Sequence, residues 1–323
     1  MSYSQKDMKS FCNMYTKILN NKIIFIGDTV SANLEIIANS YKYLNNKNTK
    51  IILIGDLFSI KNYFFKIKFK INIIELFDIN DHIFFSKKSV FVFNTSSEFT
   101  DKPDLILNQI KICNNLSKFY SYDLVTMPIN KSIIKEKYQF NGVTEYLSKI
   151  NNLRTFMLMK GENFSIIPLT THVKFKNILD KFNSKNFYQD LKKIIFIINK
   201  KRFNYNEIIV LGINPHAGEN GTLGNEENIL KKVIIKINKK LKSVKVIGPI
   251  PADSAFKKTN VKQLFISYYH DQALIPFKIL NSQSINHTIG LNYDRLSPTH
   301  GTAEDIIFKK KSNNFSFLKC MLN

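Results

Sequence analysis

Tryptophan is absent from this chain of 323 residues, cysteine and arginine occur three times each, and Asp and Glu are outnumbered by Lys and Arg, 25 to 47. Each shortage excludes something. Cys12, Cys113 and Cys320 are odd in number and show no paired spacing, so neither a disulfide framework nor a cysteine zinc site is expected. No apolar run approaches the ~20 residues that a bilayer span needs. The opening MSYSQKDMKSFC lacks the charged-then-apolar plan of a secretory leader. A cytoplasmic protein with reduced thiols is the expectation. There is no P-loop and no nucleophile elbow, and GDTVSANLE (Gly27–Glu35) lacks the three spaced glycines of a dinucleotide fingerprint.

The formal net charge is +22. Such a balance can mark a nucleic-acid or anionic-membrane surface. Here the cation is almost always Lys, spread along the whole chain, with Arg only at 154, 202 and 295. Surfaces that read bases or clamp phosphates favour the bidentate guanidinium. The excess is therefore read as a solvated surface, with neither nucleic acid nor membrane as partner.

What is present suits a globular α/β enzyme. Hydrophobic residues make up 44% of the chain, enough for a sizeable core, and the length fits two domains. Short β-branched or aromatic runs end in Gly, Asp or Asn at Ile23–Asp28, Ile51–Asp56, Ser89–Asn94, Ile208–Asn214 and Leu264–Asp271. Being apolar throughout, they read as buried strands. Helical stretches over Asn33–Tyr43, Lys176–Asn199 and Asn225–Leu241 alternate with them, which predicts a largely parallel sheet. In such folds ligands sit at the carboxyl ends of the strands, where Asn214, His216, His270 and Asp271 fall. Segments 43–50 and 309–314 read as solvated loops.

Three of the six histidines follow predicted strands: His172 in PLTTHV, His216 in NPHAGENG and His270 in YYHDQ. Three imidazoles are the usual protein set of an open metal site, but separate strand-end histidines satisfied by hydrogen bonds fit the spacing as well. The segment GINPHAGENGTLGNEE (Gly212–Glu227) has glycines that let backbone approach a ligand, and its Asn-Glu-Glu predicts a helix start that would attract an anion such as a pyrophosphate. Asp253, in GPIPADSAF, is a general base, a substrate anchor or a helix cap. Lys278 is a phosphate ligand or simply surface. Arg295 stands out because this chain otherwise spells its cations as Lys, and a two-bond fork to carboxylate or phosphate needs Arg.

Together these segments resemble the 4-hydroxythreonine-4-phosphate dehydrogenase family. The likeness runs from about Ile24 to Ile306 through TMPINK (Thr126–Lys131), GVTEY (Gly142–Tyr146), LTTHV (Leu169–Val173), NPHAGENGTLGNEE (Asn214–Glu227), GPIPADSAF (Gly248–Phe256), YHDQALIPFK (Tyr269–Lys278) and IGLNYDRLSPTHGTAEDI (Ile289–Ile306). The resemblance implies two α/β/α domains around a cleft, as in isocitrate and isopropylmalate dehydrogenases. The first domain would be 1–128 with 288–323 and the second 129–287. It implies a homodimer with its site at the subunit interface, and a divalent metal (zinc, magnesium or cobalt) on His172, His216 and His270. It implies substrate contacts at Thr144, Lys278, Asn286 and Arg295, with Asp253 and Lys278 as catalytic candidates. NAD or NADP would sit at His300, Gly301 and Asp305. The implied substrate is a small phosphorylated amino acid, oxidised at its hydroxyl on the way to pyridoxal phosphate. A sister dehydrogenase of a four-carbon sugar-acid 4-phosphate is the alternative. Two departures, GDTVSANLE where the family reads roughly GDPxGIGPE and Val143 where it has His, keep a non-catalytic relative as a further reading.

Overall fold

The computed structural model describes residues 20–44, 49–79, 84, 86–95, 101–241, 243–309 and 311–323. Cys12, the rest of the opening segment, and parts of the loops expected at 43–50 and 309–314 lie outside the described residues. The chain forms two compact units, residues 1–152 with 291–323, and residues 153–290.

In the first unit six parallel strands form a sheet in the order β3-β4-β2-β1-β5-β12. They are β1 (Lys22–Phe25), β2 (Ile51–Gly55), β3 (Asn72–Leu76), β4 (Ser89–Asn94), β5 (Asp123–Thr126) and β12 (Arg295–Pro298). The central strands β1, β2 and β5 are buried throughout, so their unbroken apolar runs belong to a sheet covered on both faces. The helices α1 (Asn33–Tyr41), α2 (Leu57–Lys66) and α3 (Lys102–Tyr120) lie between these strands in the chain, α4 (Lys131–Lys135) and α5 (Val143–Ile150) follow β5, and α10 (Phe315–Leu322) packs on β12. Asp56 starts α2 by accepting the Ser59 N–H at 2.7 Å, and Asn130 starts α4 by accepting that of Ser132 at 3.1 Å.

The second unit has the order β11-β6-β7-β10-β8-β9: β6 (Phe156–Lys160), β7 (Ser165–Pro168), β8 (Glu207–Leu211), β9 (Lys245–Ile250), β10 (Gln263–Ser267) and β11 (Ile285–Ile289). β7, β10, β8 and β9 run parallel, while β6 is antiparallel to both its neighbours. Period-two alternation divides the core. Ile208, Val210, Leu264 and Ile266 pack with α6 (Ser184–Lys200) and α7 (Glu226–Lys240). Ile209, Leu211 and Phe265 face the other way, toward Ala273 and Phe277 of α9 (His270–Leu280). A short helix, α8 (Ala252–Ala255), follows β9.

Several expected elements are shorter than the pattern suggests, two of them markedly. The helix expected from Lys176 begins at Ser184, because Asn183 caps it by accepting the Asn186 N–H at 2.8 Å, and two short 3₁₀ turns precede it. The strand expected to run to Asp271 stops at Ser267, and His270 opens a helix instead. Cys113 and Cys320 are buried thiols that are not joined in a disulfide. Among the described residues no helix is long and apolar enough to cross a membrane.

Candidate active site

In the second unit, His172, His270 and His216 follow the carboxyl ends of three adjacent parallel strands, β7, β10 and β8, and Asp253 follows the next, β9. Hydrogen bonds lace the connecting segments together. Leu169 N–H donates to Ser267 O at 2.8 Å and Thr170 N–H to Tyr268 O at 3.3 Å, which joins the His172 and His270 segments. Gln272 Nε2 donates to Gly212 O at 2.9 Å, which joins the start of α9 to the loop that carries His216. The His172 and His270 rings lie 6.0 Å apart, centroid to centroid. His216 Nδ1 lies 3.8 Å from Asp253 Oδ2. Among the described residues, no three His, Cys, Asp or Glu side chains converge into a finished cage for an ion.

The donor set nevertheless suits a divalent cation. His270 Nδ1 lies 2.7 Å from Asp271 Oδ1, so its Nε2 is the nitrogen left to point outward. The bonds from His270 and then Tyr269 hold the Asp271 carboxyl below its ordinary pKa. Three imidazoles with flanking carboxylates are what such an ion takes while leaving coordination positions open.

His216 lies in a loop of unusual hand. From His216 to Asn220 every φ is positive, between 43° and 77°, and four of these five residues are not glycine. Left-handed backbone costs an L-residue roughly 1–2 kcal/mol, so the surroundings must hold this turn in place. Glu227 supplies much of the hold. Its carboxylate accepts from Ile213 N–H at 2.9 Å, Asn214 N–H at 2.7 Å and Asn214 Nδ2 at 3.0 Å. Gly218 fits against it, since a Cβ there would lie 2.6 Å from Glu227 Oε2. The helix start at Asn225 is as expected, but Glu226 and Glu227 fill its first turn with negative charge. A pyrophosphate is therefore not welcome there, which corrects the sequence expectation.

Burial works to raise the pKa of Glu227, but its hydrogen bonds outweigh burial and leave it lowered from 4.5. A carboxyl with a lowered folded-state pKa stabilises the fold fully above its unfolded value and loses that contribution as the pH falls through the folded one. Glu227→Gln should thus lower the stability at pH 7 by on the order of 1.5–3 kcal/mol. Thermal melts should show the gap to wild type narrowing as the pH falls below 4.5. A gap that is constant with pH would contradict this role.

Asp253 is the second residue of α8, whose N-cap is Pro251, so the helix-cap reading does not hold. Its side chain is exposed beside His216. Lys278 is exposed in the last turn of α9. On β11 the buried Oδ1 of Asn286 has no hydrogen-bond partner among the described residues.

In the first unit, Arg295 on β12 is 4% exposed and donates from Nη1 to Thr144 Oγ1 at 3.1 Å and from Nη2 to Thr126 Oγ1. Burial pushes its pKa down to about 10, so it stays cationic at neutral pH. Val143 is buried at the start of α5. The first turn of α5 borders an open cavity of about 680 Å³, lined among others by Lys135, Glu145 and Lys149. Sequence reading assigned no role to Lys131, the last residue of TMPINK. Burial lowers its pKa, Glu145 opposes this, and Lys135 and Arg295 lower it further, which places it within electrostatic reach of Arg295. In the closing segment, His300 Nδ1 lies 2.8 Å from Gly301 O, and its buried Nε2 has no partner among the described residues. Burial lowers the His300 pKa and favours the neutral ring. Gly301 has open space around it, and Asp305 is exposed in a 3₁₀ turn.

A family model described as Pyridoxal phosphate biosynthetic protein PdxA matches residues 49–322. The chain belongs to this family. It is 38% identical over 207 residues to a 4-hydroxythreonine-4-phosphate dehydrogenase of Aquifex aeolicus, a match covering 62% of this chain and 63% of the relative. It is 33% identical over 194 residues to a D-threonate 4-phosphate dehydrogenase of Pectobacterium atrosepticum, covering 58% and 59% respectively. The chain thus spans about three fifths of the length of these two relatives. A solved 4-hydroxythreonine-4-phosphate dehydrogenase from Klebsiella pneumoniae superposes with a TM-score of 0.78 at 23% identity, over 95% of this chain and 98% of that one. The isocitrate/isopropylmalate dehydrogenase-like α/β fold expected from sequence is therefore the PdxA fold found here.

Proposed function

We propose that the chain oxidises 4-phosphohydroxy-L-threonine to 2-amino-3-oxo-4-phosphooxybutanoate, with NAD or NADP as the acceptor. The product then decarboxylates to 3-amino-2-oxopropyl phosphate. The observation that carries this reading is the row of His172, His270, His216 and Asp253 at the carboxyl ends of four neighbouring parallel strands. A divalent ion such as zinc, magnesium or cobalt on the three imidazoles would supply Lewis acidity at the substrate hydroxyl, and the nicotinamide would accept the hydride.

The chain's own residues do the rest. Asp253 Oδ2, exposed beside His216, takes the hydroxyl proton as the C–H pair departs and the carbonyl forms. Arg295, backed by Thr144, and Lys278 bind the anionic groups of the substrate, and Asn286 Oδ1 accepts from its amine. His300 Nε2, with Gly301 and Asp305 beside it, accepts a hydrogen bond from the cofactor. The oxidised product carries its carbonyl β to the carboxylate. When the bond to the carboxyl carbon breaks, carbon dioxide leaves and the electron pair is taken up toward that carbonyl, after which the carbon is protonated. A homodimer in the cytoplasm is part of the same proposal.

The test is reduction of NAD and NADP, followed by absorbance, with 4-phosphohydroxy-L-threonine and with D-threonate 4-phosphate side by side, before and after chelation. Turnover of the first substrate that chelator abolishes is expected, from a particle that light scattering sizes as a dimer. Preference for the second substrate would move the assignment to the sister reaction, and no turnover of either would leave a non-catalytic relative.

A further inference from the structure

In the first unit, the loop between β1 and α1 is the segment that departs from the resembled motif, and its side chains build a clamp. Gly27 has φ +71°, and a Cβ there would fall 2.3 Å from Pro128 O, 2.6 Å from Asn33 Nδ2 and 2.9 Å from Met127 O. Against it sits Asn33, fully buried, with Nδ2 at 2.8 Å from Pro128 O, 3.1 Å from Ile26 O and 3.3 Å from Asp28 O. Three carbonyl oxygens around one atom fix the amide orientation, because the flipped form would set oxygen against oxygen. Pro128 O also accepts from Asp28 N–H at 3.1 Å. Ser31 Oγ donates to Asp28 O and accepts from Asn33 N–H, so the loop is stapled from within.

Pro128 stands midway between two functional contacts. Two residues before it, Thr126 accepts from Arg295. Two residues after it, Asn130 Nδ2 donates to Glu304 Oε1 at 3.4 Å, within the His300–Asp305 segment. The stapled loop touches that segment too, through Ala32 N–H to Thr302 O at 3.0 Å.

We propose that Asn33 is a positioning residue: by gripping the Pro128 carbonyl it holds the Thr126–Asn130 loop, and through it both the Arg295 guanidinium and the 300–305 segment, in their working places. The inference rests on the dehydrogenase reading for its kinetic consequence but not for its structural one.

The test uses Asn33→Ala, with Asn33→Ser, which keeps a small polar group at the helix start, as the second variant should the first fail to fold. Amide hydrogen exchange of the metal-loaded, substrate-free protein should be at least tenfold faster over 126–130 and 300–305, and unchanged over 22–25 and 207–211. The KM for 4-phosphohydroxy-L-threonine should rise about tenfold while kcat changes less than twofold. Wild-type exchange over both loops, or faster exchange spread evenly over the whole chain, would overturn the proposal. If wild type itself shows no turnover, the exchange arm still decides it, so failure of the functional reading is distinguishable from failure of this one.

Discussion

His216→Ala should abolish divalent-metal binding and turnover together. The variant removes one of three imidazoles that the strand ends of the second unit offer, leaving the neighbouring pair His172 and His270. Loss of a partner that merely orients a ligand already costs 10–100-fold in metal affinity, so loss of the ligand itself should cost at least about a hundredfold. Position 216 has φ +51°, which alanine tolerates poorly, so a drop in activity alone would be ambiguous. His216→Asn is the control, because asparagine visits this backbone region readily and restores no imidazole. Calorimetric titration with zinc, magnesium and cobalt should show about one ion bound per wild-type chain and none for either variant. Full activity after exhaustive chelation would refute the metal assignment.

Arg295→Lys should weaken substrate binding roughly ten- to hundredfold, although the formal charge is kept. The guanidinium bridges two threonine hydroxyls while buried, and a single ammonium cannot reproduce its planar spread. Each charge-assisted bond lost is worth on the order of 1.5–3 kcal/mol. Burial compounds the effect. It pushes the native arginine down to about 10, and a lysine, starting from a lower intrinsic pKa, would fall further toward neutrality. The KM of the variant should therefore climb as the pH rises above neutral, where wild type stays flat, while the KM for the cofactor moves little. Steady-state kinetics across pH, varying each substrate in turn, gives the answer. A substrate KM and specificity constant equal to wild type would make Arg295 a purely structural cation.

Much of this was legible in the sequence because strand ends announce themselves. The apolar runs ending in Gly, Asp or Asn correspond to β1, β2, β4, β8 and β10, and His216 and His270 lie where the last two of those runs stop. Arg295 was visible against a lysine background. What was hidden depends on partners distant in sequence. Glu227 reads as a helix-start residue until its bonds to Ile213 and Asn214 are seen. Gln272 reads as helix surface until it meets Gly212. Asn33 lies 95 residues from Pro128, so nothing local in GDTVSANLE marks it. The late start of α6 shows the opposite failure, in which helical periodicity ran on past a capping asparagine.

From His216 to Asn220 the chain winds with the hand that D-amino acids prefer, so stereochemistry and energy are inverted across it. A semisynthetic chain with D-alanine in place of Ala217 would relax where the natural enantiomer is strained, while the same exchange inside α6 or α7 would unwind a turn. Among the natural residues only achiral glycine escapes this strain, and within His216–Asn220 it stands at position 218 alone. The loop that carries His216 is thus held in shape by its neighbours, above all by Glu227, and not by its own monomers.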